Sequence, residues 1–223
     1  MLSEDSEGRY FIDNSSTDKN DNTVLISAID MKLPEVALAI LKKDGVNVNI
    51  QDDDKCTALI IASSFGTKEV VLAILARDEV NVNIQDVWGL TPLMRAIVYG
   101  QEEIALAMLE REGVDINAQD TSGRTALMWA SDMGQAEVAR AILERGRVDV
   151  NTQGANGMTV LMLAVGMGQT KVALAILENE ELDINTENAE GNIVLDIANT
   201  VGQVEIIEAI GERVNRRGLN FSG

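Results

Sequence analysis

The chain has 223 residues, 46% hydrophobic and 3% aromatic, with 36 acidic against 18 basic side chains and a net charge of −18. That charge repels nucleic-acid phosphate and anionic lipid, which excludes both as expected partners. There is no histidine, which removes imidazole bases and the commonest metal ligand, and the single cysteine, Cys56, excludes an intramolecular disulfide.

Residues 1–20, MLSEDSEGRYFIDNSSTDKN, are polar and unpatterned apart from Tyr10, Phe11 and Ile12, so they are expected to be disordered. No apolar run approaches the ~20 residues of a membrane span or follows a basic N-terminus as in a signal peptide. Together with the lone cysteine this predicts an intracellular, cytoplasmic location. From residue 21 to 217 one signature recurs every 34 residues, at Thr23, Thr57, Thr91, Thr125 and Thr159, with Ile193 in the sixth place. The copies read TVLISA, TALIIA, TPLMRA, TALMWA, TVLMLA and IVLDIA, each leading into a second apolar stretch such as EVALAILKK or EEIALAMLE. Internal repetition at this period predicts six stacked two-helix repeats, starting near 21, 53, 87, 121, 155 and 189, with 218–223 as a tail.

Residues 120–153 carry the fullest start and stop signals. The Thr125 hydroxyl is placed to cap the free amides of a short first helix, and in the preceding copy Pro92 follows Thr91 at the first helical position, where a missing N–H costs nothing. Gly134 ends that helix at a place calling for left-handed backbone, as do Gly66, Gly100, Gly168 and Gly202. In the second helix, Glu137 to Arg145, Val138, Ala141, Ile142 and Leu143 share a predicted apolar face. The alanines at 39, 73, 107, 141, 175 and 209 are expected to let neighbouring helices approach. Val148 to Gln153, like Val46 to Gln51, alternates with period 2 and leads into turns such as Asp86-Val87-Trp88-Gly89, which predicts short hairpins.

These residues resemble the ankyrin repeat family, whose repeat reads TPLHxA, then glycine, then an EVVxLLL helix, then GADVNAxDxxG. The resemblance covers residues 21–217 and implies an all-α ankyrin solenoid. A period of 34 alone favours the tetratricopeptide repeat, but that repeat lacks the Asp/Asn hairpin and brings a Trp, Leu-Gly and Tyr pattern absent here. The extra residue falls within Ala76 to Val80 and its equivalents. The family histidine is replaced by Ile26, Ile60, Met94, Met128, Met162 and Asp196, so apolar packing is expected in its place. In the first copy Asp30 to Pro34 replace the interhelix glycine, and in the last Gly211, Arg213, Arg216 and Arg217 depart from the pattern; both ends read as polar caps.

Signals for chemistry are weak. Cys56 is expected to be a surface cysteine at a hairpin tip, its thiol pushed up by Asp53 and Asp54 rather than activated. Asp149, Asn151, Gln153 and Gly154 mimic the start of an EF-hand loop, yet the twelfth position is Val160, and repeat phase accounts for the match. No phosphate-binding glycine loop occurs. The family's hairpin asparagines can be hydroxylated, and by resemblance Asn83, Asn117, Asn151 and Asn185 occupy that place, although bracing the turn is the favoured role. Glu110, Glu112, Glu144, Glu178, Glu180 and Glu181 are expected to form a solvated edge. No catalytic residue, cofactor or metal is expected.

By resemblance, the positions that ankyrin repeats vary and expose on a concave face are the hairpin tips, the residue before the helix alanine, and the pair before the interhelix glycine. Phe65, Trp88, Tyr99 and Trp129 all fall there. The expected partner-binding set has Trp88, Tyr99 and Trp129 as anchors, and Phe65, Leu90 and Met133 as surrounding apolar surface. Arg95 and Arg124, expected at equivalent exposed places, would pair with a partner's carboxylates. The resulting expectation is a non-enzymatic, monomeric module that binds a protein or peptide in its groove, or alternatively a structural or regulatory segment of a larger assembly.

Overall fold

The structure, a computed structural model, describes residues 2–4, 10–12 and 24–217. It is helical and divides into two compact units, residues 1–114 and 115–223. In unit 1, α1 (Val24–Asp30) packs on α2 (Pro34–Leu41), α3 (Ala58–Phe65) on α4 (Lys68–Leu75), and α5 (Pro92–Val98) on α6 (Glu102–Leu109). First helices also stack on first helices, α1 on α3 and α3 on α5, and second on second, α2 on α4 and α4 on α6. Unit 2 repeats the scheme with α7 (Ala126–Asp132), α8 (Ala136–Glu144), α9 (Val160–Gly166), α10 (Thr170–Leu177), α11 (Val194–Val201) and α12 (Val204–Arg217). There α7, α9 and α11 stack in order, as do α8, α10 and α12. This is the ankyrin-repeat solenoid architecture.

In the N-terminal segment, β1 (Leu2–Glu4) pairs antiparallel with β2 (Tyr10–Ile12), Leu2 opposite Ile12. The rest of the segment expected to be disordered, and the cap of α1 at Thr23, lie outside the described residues.

The recurring threonine starts each described helix as its chemistry requires. The Thr57, Thr91, Thr125 and Thr159 hydroxyls accept from the amides of Ile60, Met94, Met128 and Met162 at 3.3, 3.3, 3.4 and 3.3 Å. Ile193 has no hydroxyl to offer, and at that helix start the Asp196 carboxylate instead accepts from the Ile193 N–H at 2.9 Å. The residues standing where the family has histidine are core: Ile26, Ile60, Met94, Met128 and Met162 are at most 1% exposed. Between the helices of a pair, Gly66 and Gly134 have φ of 75° and 69°, a region costly for side chains. Lys32 holds the same phase in the first copy and adopts φ 55° despite its Cβ.

Two expectations are corrected. The alanines at 39, 73, 107, 141, 175 and 209 are not the packing residues; Ala39 is exposed and the others half-buried. The fully buried small positions lie two residues earlier, at Ala37, Val71, Ala105, Ala139 and Ala173, each 0% exposed. Two residues along a helix turn a side chain through ~200°, so only one of these rows can face the neighbouring pair. Likewise the hairpin alternation is real in burial, with Val46, Val48, Val148 and Val150 inside, but among the described hairpins β-bridges are limited to Gln51–Thr57 and Gln153–Thr159, the turns being closed by single backbone bonds such as Asp86 N–H to the Leu90 carbonyl at 3.1 Å.

Candidate protein-interaction site

Each hairpin turn is built on its opening residue. Asp86 Oδ1 accepts from the amides of Trp88 and Leu90 at 2.8 and 2.9 Å, which bends the turn and leaves Oδ2 directed at α5. Arg95, on α5, fills that direction: its Nε reaches Asp86 Oδ2 at 2.5 Å, with the aspartate side chain 0% and the arginine side chain 10% exposed. The same guanidinium lies 4.9 Å from the Trp88 ring centre and 5.8 Å from that of Tyr99, and its Nη1 donates to Tyr99 Oη at 3.3 Å. Trp88 and Tyr99 are each 52% exposed. A buried ion pair therefore supports two exposed aromatic rings from below.

Unit 2 repeats the device with another donor. Asp120 Oδ1 accepts from Ser122 and Arg124 amides at 2.8 and 2.9 Å, and Oδ2 accepts from the Trp129 indole N–H at 2.9 Å. Arg124 covers the Trp129 ring at 3.9 Å and donates to Asp132 at 2.7 Å. At the other end of unit 1, Phe65 is 43% exposed beneath the Lys32 ammonium, 5.6 Å away.

Of the eight expected contact residues, Phe65, Trp88, Tyr99 and Met133 are exposed as anticipated. Arg95 and Leu90 are corrected: they are buried, at 8% and 9% exposure. Trp129 and Arg124 are half-buried and engaged with Asp120 and Asp132. Nor are Arg95 and Arg124 equivalent, since the 34-residue period aligns Arg95 with Trp129, and Arg124 with Leu90. Both arginines are committed to carboxylates of this chain.

Cys56, expected at the surface, is buried, and its backbone N–H donates to Asp52 at 2.8 Å. Burial first, then the Asp52 carboxylate, pushes its thiol up to about 12, which removes nucleophilic character at neutral pH. The hairpin asparagines bind along the stack: Asn83, Asn117 and Asn151 donate their side-chain amides to the carbonyls of Gly113, Arg147 and Glu181 at 2.8, 2.7 and 2.8 Å. The six glutamates of the expected acidic edge are all exposed.

One set of functional side chains escaped sequence reasoning. Arg77 donates to the Leu41 carbonyl at 2.9 Å, Arg111 to those of Leu75 and Arg77, and Arg213 to those of Leu177 and Asn179 at 2.5 and 2.7 Å. Each cation closes the end of the previous second helix, where unpaired carbonyls and the negative dipole end gather. Arg213, expected in a polar cap, is 4% exposed. Acceptors that are backbone carbonyls leave no mark in sequence.

The sequence matches the family described as ankyrin repeats (3 copies) over residues 37–120, 79–154 and 112–188, more than half of the chain. The chain belongs to the ankyrin repeat family. Among solved structures it is similar to the ankyrin repeat domain of Bcl-3, a member of the IkappaB protein family, with 24% identity, a TM-score of 0.74, and coverage of 89% of this chain and 86% of that one. It is also similar to EF0377, an ankyrin repeat protein, with 26% identity, a TM-score of 0.76, and coverage of 84% and 96%. No curated protein matches it. Ankyrin repeats are a general protein–protein interaction module and typically non-catalytic. No helix among the described residues is long and apolar enough to cross a membrane.

Proposed function

We propose that this ankyrin protein is a non-enzymatic module that binds a partner protein or peptide through the surfaces that hairpin turns and first helices form within each unit. Trp88 and Tyr99 are the anchors in unit 1, with Phe65 beside them. In unit 2 the corresponding surface is Met133, 44% exposed, and the accessible part of Trp129 beneath Arg124. The observation that carries the reading is the pair of half-exposed aromatics fixed on Arg95. Large apolar rings in water are unfavourable surface, and rings already held in place lose little rotamer freedom on contact, so association keeps more of the gain from covering them. Arg95, Leu90 and Arg124 act from within as supports and not as contacts.

The test is replacement of Trp88 and Tyr99 by alanine, singly and together, with thermal unfolding and partner affinity measured on the same preparations. Each should weaken binding about thirtyfold, the equivalent of ~2 kcal/mol, while the melting point moves little. Variants that fold and bind as wild type would overturn the reading.

A further inference from the structure

Three periods beyond Trp88, the same positions of unit 2 border an open cleft of about 330 Å³. Glu190 stands in the phase of Trp88, Asn192 in that of Leu90, Ile197 in that of Arg95 and Val201 in that of Tyr99. In unit 1 this place is filled from within, by a guanidinium lying between a carboxylate and two rings. In the last hairpin and α11 none of these phases carries an aromatic or a guanidinium, and the cleft opens beside them. Its rim carries two exposed carboxylates, Glu190 and Asp196, and its lining contains no lysine or arginine. Asn192 donates to Glu190 Oε2 at 3.2 Å and the Ile193 amide to Asp196 Oδ2 at 2.9 Å, which sets the orientation of both carboxylates. Met158, Ile197 and Val201 supply apolar surface between them.

We propose that this cleft receives an arginine side chain of the bound peptide, guanidinium toward Glu190 and Asp196 and methylene stem along Met158, Ile197 and Val201. The inference rests on the peptide-binding reading above and names one residue type of the peptide. A planar guanidinium can engage two carboxylates at once through its fork of N–H donors, which a lysine ammonium cannot reproduce. An aliphatic stem gains by lying on apolar surface while its charged head stays at the rim.

The probe is the peptide acetyl-Gly-Gly-Arg-Gly-Gly-amide, titrated into the full chain with backbone amide shifts followed by NMR, beside the same peptide with citrulline, the neutral isostere of arginine. Expected are saturable shifts confined to residues 156–158 and 188–201, with dissociation constants of about 1–10 mM, and at least tenfold weaker binding of the citrulline peptide. Glu190→Gln should lose binding with an unchanged melting point, and Ile197→Arg, which restores the guanidinium of unit 1, should abolish it by occupying the cleft. Trp88→Ala should leave this titration unaltered, which separates its outcome from that of the aromatic-anchor test. Absence of localised shifts, equal binding of citrulline, or undiminished binding by Glu190→Gln would overturn the assignment.

Discussion

Arg95 and Trp129 stand one 34-residue period apart and make the same bond, each donating to Oδ2 of the aspartate nine residues before it, Asp86 at 2.5 Å and Asp120 at 2.9 Å. One position of the repeat thus takes either a cation or an indole, because the hairpin aspartate offers a carboxylate oxygen to any donor that reaches it. The bond ties a hairpin to the helix that follows, and sets where the exposed rings sit.

Removing one member of a buried ion pair leaves an uncompensated charge, at a cost of about 3–5 kcal/mol. Arg95→Ala is therefore expected to destabilise unit 1 by that order, because Asp86 is fully enclosed. Replacing both, as Asp86→Asn with Arg95→Met, should recover part of the loss. Urea unfolding of the single and double variants measures it, and a single variant that unfolds like wild type would contradict the pairing.

Trp129→Phe keeps most of the apolar surface and deletes the indole N–H, leaving Asp120 without that donor. A hydrogen bond to a charged group contributes about 1.5–3 kcal/mol, so a loss of this size is expected in the same assay. Trp88→Phe, at a ring that is 52% exposed, should change stability by less than ~0.5 kcal/mol.

The Cys56 thiol, ordinarily titrating near 9.0 and pushed up to about 12, stays protonated in the folded chain while the unfolded chain ionises. Folding therefore binds more protons between those values, and the sign is a stability present below pH ~9 and progressively lost as pH rises toward 12. Cys56→Ala should flatten that part of the pH profile. Alkylation by iodoacetamide at pH 8 should require unfolding, and rapid labelling of the native chain would refute the burial.

Lys32 spends conformational energy that its siblings do not. Left-handed backbone costs a residue with a Cβ roughly 1–2 kcal/mol, offset here by a half-exposed contact over Phe65 of about 0.5 kcal/mol. Lys32→Gly should stabilise the chain by about 0.5–1.5 kcal/mol, read as a raised urea midpoint.

The threonine caps, interhelix glycines and buried Ile60 and Met94 rows were legible because each obeys a local rule repeated at a fixed period. Exposure at the site was less so. Leu90 and Cys56 occupy a hairpin phase that reads as surface, yet both are buried, while Arg124 in the same phase, with the same amide bond to its aspartate, is half-buried; the apolar side chain and not the turn decides which is covered. Arg95 and Trp129 also read as surface, and only the direction of Asp86 Oδ2 and Asp120 Oδ2 reveals their bonds. The arginine clamps at 77, 111 and 213 were hidden because a carbonyl acceptor has no residue identity.

The interaction face is tested most directly by photo-crosslinking, with a benzophenone amino acid replacing Tyr99, Phe65, or Leu72 on the second-helix side of the same unit. Leu72 is 44% exposed, comparable with Phe65 at 43%, so access is matched. The account predicts that one partner polypeptide is captured from residues 99 and 65, that Trp88→Ala sharply reduces its capture, and that residue 72 captures none of it. Capture of that partner from residue 72 with none from residue 99 would contradict the account.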